Sequence, residues 1–450
     1  MTAVTDDGRE EGERLESARS RILELVDPGT FVEFGKHRGT LPETRGSGDM
    51  SVVGESAITG CGTIYGRQVA VYSLGGEASA GVVGEAAGDK LVRVLRFALR
   101  TGSPVIGIID SCEARPEGGV SALGALTGVL RELAGCSGEV PCISVVVGEA
   151  TGVASCLAAL ADVVVAVDGA TRMFMSGPEA VMSVTGHRPT VEELGGAAAL
   201  GRAGCAHYLA DDEDDALDYV RVLLGYLPEH RSGGLPVYDS DAPAERTGVD
   251  DLLDQVAPSS VDEPYDMRVV VESVLDDGDF LELQELFAGN ILVGFGRIDG
   301  HSVGVVANQP ADRAGVLDAE ACDKATRFVR FCSSFSIPVV TLVDTPGFLP
   351  GTDQESRGVP RRGADLLRAY AEASVPLVTV ITRRASGSAY TVMGSKRLGV
   401  DLVAAWSTAE LGPYAAAALG EIDEVIEPAD TRLVVGGMLR RLRATRAVRQ

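Results

Sequence analysis

The strongest constraint on what this chain can fold into is that it repeats itself. Gly62, Gly66, Asp89, Lys90, Phe97, Pro104 and Asp110 recur as Gly296, Gly300, Asp323, Lys324, Phe331, Pro338 and Asp344, every pair 234 residues apart. The surrounding segments agree in residue type: GCGTIYGRQVAVYS matches GFGRIDGHSVGVVAN, and GSPVIGIIDS matches SIPVVTLVDT. Further along, VPCISVVVGEATGVAS matches VPLVTVITRRASGSAY at an offset of 235, and Asp162 and Asp401 then close the two copies. Self-similarity at a fixed period identifies a repeated structural unit before any secondary structure is assigned.

Each copy reads as two strands turning at Gly66 or Gly300, a helix opening near Asp89 or Asp323, and a buried strand ending in Asp110 or Asp344. A variable loop, a second helix and another buried strand then lead to a glycine-containing turn. The strands are continuous aliphatic runs, such as ISVVVG and DVVVAV, and such runs are covered by helices on both faces. The stretch from Pro228 to Pro264 is rich in Pro, Asp and Ser and reads as a linker or a domain-spanning loop. The expected organisation is an N-terminal domain over 14–232, a linker over 233–262 and a C-terminal domain over 263–450.

Composition sets the function classes aside. A hydrophobic content of 45% with 23% charged residues fits large aliphatic cores and excludes a disordered or fibrous chain. The 65 acidic and 40 basic side chains leave a net charge of -25, which disfavours nucleic acid or an anionic membrane as the main partner. The N-terminus has no basic n-region and no apolar h-region, and the aliphatic runs fall far short of a membrane span, so neither secretion nor insertion is expected. The cysteines at 61, 112, 136, 142, 156, 205, 322 and 332 form no C-x-x-C pair. They read as small core residues in a reducing cytoplasm, and no metal site is expected from them or from the five histidines.

Most motif readings fail on spacing. Gly60 to Gly66 and Gly294 to Gly300 resemble a dinucleotide fingerprint, but the spacing is one residue off and a strand follows where a helix is needed. Asp344-Thr345-Pro346-Gly347 has no accompanying phosphate loop, and no G-x-S-x-G elbow is present. Two small-residue turns remain, each following a buried strand and opening a helix: Gly148 to Ala154, and Arg384 to Tyr390. Small residues let a ligand approach the backbone, and the N–H groups at a helix start can hold an oxyanion. One such turn alone is a tight strand-to-helix connection; two at equivalent places favour function.

On these residues, together with MFMSGPEAVMSVTGHRPTVEELGGA (173–197), AHYLADDEDDALDYVRVLLGYLP (206–228), the segment 344–390, VMGSKRLGVDLVAAW (392–406) and GEIDEVIEPADTR (420–432), the chain resembles the carboxyltransferase (beta) subunit of biotin-dependent acyl-CoA carboxylases of the propionyl-CoA carboxylase type. The resemblance covers nearly the whole chain. It implies the crotonase-like superfamily, hence an α/β fold of two duplicated ββα-spiral domains. It implies a cytoplasmic homo-oligomer, a hexamer or, for a divergent chain, a dimer, with active sites between the N-terminal half of one subunit and the C-terminal half of another. The implied partners are a biotin carboxylase and a biotin carrier subunit, with biotin on that separate carrier and a coenzyme A thioester as substrate. The N-terminal half would hold the acyl-CoA and the C-terminal half the carboxybiotin.

In that chemistry CO2 passes to the α-carbon of a thioester, and charge builds on the thioester oxygen and on the biotin ureido oxygen. Two sets of preorganised N–H donors meet that demand without a strong protein base. By resemblance, Gly152 and Val153 line the first oxyanion hole, and Ser388 and Ala389 the second. Ala114, Arg115, Gly387 and Thr391 are the implied substrate contacts, with Thr391 where the family tunes acyl-chain preference.

Several loops depart from the family pattern. Asp110-Ser111-Cys112-Glu113-Ala114-Arg115 stands where the family has Asp-Ser-Gly-Gly-Ala-Arg, and the paired glycines of the two turns are reduced to Gly152-Val153 and Gly387-Ser388. After Ala409-Glu410-Leu411-Gly412 the chain passes at once to Pro413-Tyr414, where the family has a longer helical stretch. These departures keep two alternatives beside carboxyl transfer. One is a biotin-independent decarboxylase, or another enolate-forming enzyme, on malonyl- or methylmalonyl-type thioesters; the other is a non-catalytic subunit of a carboxylase complex. Glu113 and Glu149 read as solvated loop acids, or as a general acid or base if burial raises the pKa of one. Cys156 occupies the position of a hydratase's acidic residue, so hydration is not expected and the thiol reads as core packing. Arg432, Arg440, Arg441, Arg443, Arg446 and Arg449 read as a solvated helix face.

Overall fold

A computed structural model of the chain describes residues 17–36, 57–75, 84–112, 119–240, 245–256, 260, 263–410 and 413–447. It divides into two compact units, Met1–Gly233 and Gly234–Gln450. The first carries strands β1 (Val32–Glu33), β2 (Ala57–Ile64), β3 (Arg67–Leu74), β4 (Val105–Cys112), β5 (Cys142–Thr151), β6 (Val163–Val167), β7 (Arg172–Phe174) and β8 (Tyr208–Ala210). The second carries β9 (Leu281–Leu283), β10 (Ile291–Ile298), β11 (His301–Asn308), β12 (Val339–Thr345), β13 (Leu377–Ala385), β14 (Leu402–Trp406) and β15 (Glu424–Ile426).

The two sheets have the same plan. In the first the order is β1-β2-β3-β4-β5-β6-β8, with β7 paired to β5; in the second it is β15-β14-β13-β12-β11-β10-β9. The hairpins β2–β3 and β10–β11 are antiparallel, and from β3 and β11 onward the pairing is parallel. Parallel neighbours need crossovers, which helices Glu85–Thr101 and Gly119–Cys136 supply in the first unit and Ala319–Ser334 and Val359–Glu372 in the second. All seven residues of β12 and all nine of β13 are buried, which is why the sequence shows aliphatic runs there and not alternation.

Both hairpins turn in two residues, Tyr65-Gly66 and Asp299-Gly300, at φ of 51° and 75° and of 54° and 72°. Positive φ at both central residues suits the twist of the flanking strands and puts glycine second. A carboxylate braces each turn. Asp27 accepts from the N–H groups of Tyr65 (3.0 Å) and Gly66 (2.9 Å), and Asp276 from those of Asp299 (3.1 Å) and Gly300 (2.7 Å).

The duplication extends to buried ammonium groups. Lys90 Nζ donates to Ala57 O (2.9 Å), and Lys324 Nζ to Ile291 O (2.8 Å), Gln284 O (3.0 Å) and Phe287 O (2.8 Å). Burial lowers the Lys324 pKa to about 8. Asp162 and Asp401 cap the starts of equivalent strands, accepting from Cys142 N and Leu377 N at 2.9 Å each.

Three expectations need correction. Cys136, Cys142, Cys322 and Cys332 are buried, but Cys61 and Cys156 are half-buried and Cys205 is exposed, so core packing does not describe all the thiols. Arg432 is no solvated face residue: it donates to the buried Asp250 carboxylate at 2.8 and 2.9 Å, which ties the last long helix, Thr431–Ala447, to helix Gly248–Val256. That second helix lies inside the stretch read from composition as linker. Among the described residues no helix is long and apolar enough to cross a membrane, and no group of three or more His, Cys, Asp or Glu could hold a metal ion.

Candidate active site

Each of the two turns singled out in the sequence sits at the end of the fifth-position strand of its unit. In the first, β5 runs through Thr151 into Gly152, and helix Val153–Ala159 begins. In the second, β13 ends at Ala385, Ser386 caps the next helix, and Gly387 opens it as the first residue of Gly387–Val392. Gly152 has φ of 58° and Gly387 has φ of 57°, so both copies turn through a positive φ at the equivalent glycine. At Gly152 ψ is -135°, a region closed to residues with a Cβ, so glycine is required there by conformation. A Cβ built on either glycine meets nothing within 4 Å. The space outside each of these two glycines is therefore open.

The donors at the first turn differ from the simplest reading. Gly152 N–H already donates to Phe174 O on β7 at 2.9 Å, and Gly152 O accepts from Ser155 N (3.1 Å) and Ser155 Oγ (2.7 Å). Helix geometry leaves the first N–H groups of a helix without intrahelical acceptors, and Val153 and Ala154 are the first two residues of this one. At the second turn Ser386 N–H donates to Thr345 O at 3.2 Å, and the amides of Ser388 and Ala389 follow in the first helical turn. Ala389 is fully buried, whereas Ser388 and Thr391 are exposed, with Thr391 Oγ1 donating to Gly387 O at 3.4 Å. The exposed edge of this helix thus carries Gly387 and Thr391, the two implied substrate contacts at this turn.

The other candidate residues fall differently. Ala114, Arg115 and Glu113 lie outside the described residues. The Glu149 carboxylate is 55% exposed and paired with Arg172 at 3.1 Å, without the burial that would make it a general acid. Cys156 lies half-buried on the short helix after Gly152.

One constellation was missed. Asp344, the terminal acid of β12, is completely buried and holds two arginines from β13: Arg383 Nε at 2.9 Å and Arg384 Nε at 2.8 Å. Arg383 also donates to Ser260 O (3.0 Å) and Glu263 O (2.9 Å) and lies over the Tyr265 ring, and Arg384 to Ala314 O (2.9 Å). The signal was present as Arg383-Arg384 at the end of an otherwise buried strand, beside a neighbouring strand that ends in Asp344. Two guanidiniums cannot be buried without a carboxylate within reach.

A carboxyl transferase domain family model matches residues 8–422, and the chain belongs to that family. Within it the likeness is to acyl-CoA carboxylase beta subunits, and the architecture is the duplicated crotonase-like one. The chain is 44% identical over 476 residues to the propionyl-CoA carboxylase beta chain of Saccharopolyspora erythraea, covering 95% of this chain and 87% of that one. It is 40% identical over 466 residues to the methylmalonyl-CoA decarboxylase subunit alpha of Veillonella parvula, covering 96% and 90%. A crystal structure of transcarboxylase 12S, a hexamer assembly with hydrolysed methylmalonyl-coenzyme A bound, superposes with a TM-score of 0.90 at 37% identity, covering 95% of this chain and 89% of that one.

Proposed function

We propose that this chain is the carboxyltransferase subunit of a biotin-dependent acyl-CoA carboxylase. It moves a carboxyl group from carboxybiotin, presented on a separate carrier by a biotin carboxylase partner, to the α-carbon of a short acyl-CoA. The observation that carries this reading is the pair of equivalent turns at Gly152 and Gly387, with φ of 58° and 57° and open space outside both. The amides of Val153 and Ala154 at the first turn stabilise charge on the thioester oxygen, and those of Ser388 and Ala389 at the second stabilise charge on the ureido oxygen. Thr391, exposed on the second helix, contributes to acyl-chain preference, and Ala114 and Arg115 take part in holding the coenzyme A thioester. The repeated domains span 14–232 and 263–450, with helix Gly248–Val256 of the connecting stretch held to the second by Asp250 and Arg432, and the working form is a cytoplasmic homo-oligomer, a hexamer by analogy with transcarboxylase 12S.

The test mixes the purified chain with carboxylated biotin carrier and acetyl-, propionyl- or butyryl-CoA. A carboxylated thioester is expected; no product with any of them refutes the reading. The likeness to a methylmalonyl-CoA decarboxylase subunit favours one second reading, in which the same turns release CO2 from a methylmalonyl-type thioester. Release of CO2 from methylmalonyl-CoA with no biotin present would establish it in place of the first.

A further inference from the structure

The two turns rest on charge of opposite sign. Beneath the second, Arg383 and Arg384 share the single carboxylate of Asp344, with side-chain exposures of 4%, 11% and 0%. Two cations on one anion leave an excess positive charge inside the unit. Beneath the first, the equivalent positions are Gly148 and Glu149, and the equivalent acid, Asp110, takes its ion pair from Arg21 at 2.7 Å. Arg21 also serves Glu213 at 2.7 Å, so here two carboxylates share one cation. Gly148 leaves no room for a side chain, since a Cβ there would lie 1.8 Å from Asp110 O.

Arg384 is joined to its turn by backbone as well as charge. Its own N–H donates to Asp344 Oδ1 at 3.3 Å, the oxygen that its Nε also reaches, and two residues on Ser386 N–H donates to Thr345 O. The end of β12 therefore fixes the path of residues 384–386 immediately before the amides of Ser388 and Ala389. A buried charge acts over a longer range than an exposed one, because the interior screens it weakly.

We infer that Arg384 is a positioning residue of the second turn, and that the excess positive charge of the Asp344–Arg383–Arg384 cluster suits this turn to the reactant whose reacting group is itself a carboxylate. This rests on the proposed function, in which the second turn receives the carboxylated ureido group. Arg384 does not touch that group; it sets the direction of the amides and the potential in which they work.

The experiment compares the parent, Arg384→Gln and Arg384→Lys in transfer from carboxylated biotin carrier to propionyl-CoA, with the Kd for propionyl-CoA measured separately by calorimetry. Arg384→Gln is expected to lower kcat by about tenfold to a hundredfold, the scale of losing part of an oxyanion site. The KM and Kd for propionyl-CoA should stay within about twofold, because the thioester belongs to the other turn. Arg384→Lys should recover most of kcat. If Arg384→Gln does not fold, Arg384→Met, which keeps the apolar stem, takes its place. Parent-like kcat in the neutral variant, equal losses in the neutral and lysine variants, or a loss that appears in propionyl-CoA binding would each overturn the inference. Absence of turnover in the parent is a different result: it refutes the proposed function, and this inference falls with it.

Discussion

The two halves of this chain share a scaffold and part company at one place. The turn braces Asp27 and Asp276, the buried lysines Lys90 and Lys324, and the strand caps Asp162 and Asp401 make matching bonds in both copies. The lysines and strand caps satisfy backbone groups that the fold buries wholly or in part, where an unpaired N–H or C=O is costly in either copy, and the braces hold the amides of the hairpin turns. The residues beneath the active turns meet no such shared demand. Gly148-Glu149 in one half and Arg383-Arg384 in the other stand at equivalent positions with different charge, size and burial. Duplication has preserved what the backbone requires and released what the ligands require.

The sharpest way to break that contrast is to neutralise the equivalent acids. Asp344→Asn leaves two buried guanidiniums without their anion, and removing one partner of a buried pair costs about 3–5 kcal/mol. Asp110→Asn removes an acid whose side chain is 30% exposed and whose arginine keeps Glu213, so the cost should be about 1 kcal/mol. Urea unfolding of the two variants measures both. Equal destabilisation would mean that the cluster beneath the second turn is no more buried, in energetic terms, than its counterpart.

The lysines allow a smaller and more selective test. Lys324→Met strands three carbonyl oxygens and should cost about 2–3 kcal/mol. The pH dependence has a definite sign. With a pKa of about 8 in the folded chain against the ordinary 10.5, the unfolded chain binds more protons between those values. Stability should therefore rise with pH from about 8 to about 10.5, and the rise should vanish in Lys324→Met. A parent whose stability relative to the variant stays flat across that interval would remove burial as the dominant influence on Lys324.

How much of this was legible beforehand depended on where the signal lay. The repeat at 234 residues located both hairpins, both first helices and both turns, because a hairpin glycine, a helix start and a buried strand each leave a local mark. Arg383 and Asp344 were equally visible as letters, yet their pairing depends on which strands adjoin, and β12 beside β13 is a fact of topology. The role of Gly152 was half legible: its place at the turn followed from the sequence, but the use of its N–H by Phe174 depends on β7 folding back against β5. Arg432 was misread for the same reason, since its partner Asp250 lies in a stretch whose composition conceals a helix.

The smallest expected effects should fall on the parts the two halves share, and here the comparison predicts equality. Asp27 accepts two turn amides and the Thr63 hydroxyl at 2.6 Å; Asp276 accepts two turn amides and the Ser240 hydroxyl at 2.9 Å. Asp27→Ala and Asp276→Ala should each cost about 1 kcal/mol, the net worth of such bonds near the surface. The Thr63 hydroxyl, followed by the Gly66 amide, holds the Asp27 carboxyl below its ordinary 3.8. A group lowered in this way contributes stability that is present above the ordinary value and is lost as pH falls through the folded one. Unfolding followed from pH 6 down to pH 2, in the parent and in Asp27→Asn, should therefore show a shallower acid loss in the variant. A cost confined to one hairpin would mean that only one copy still depends on its brace, and the matching hydrogen bonds of the other would then be a relic of the duplication rather than a demand of the fold.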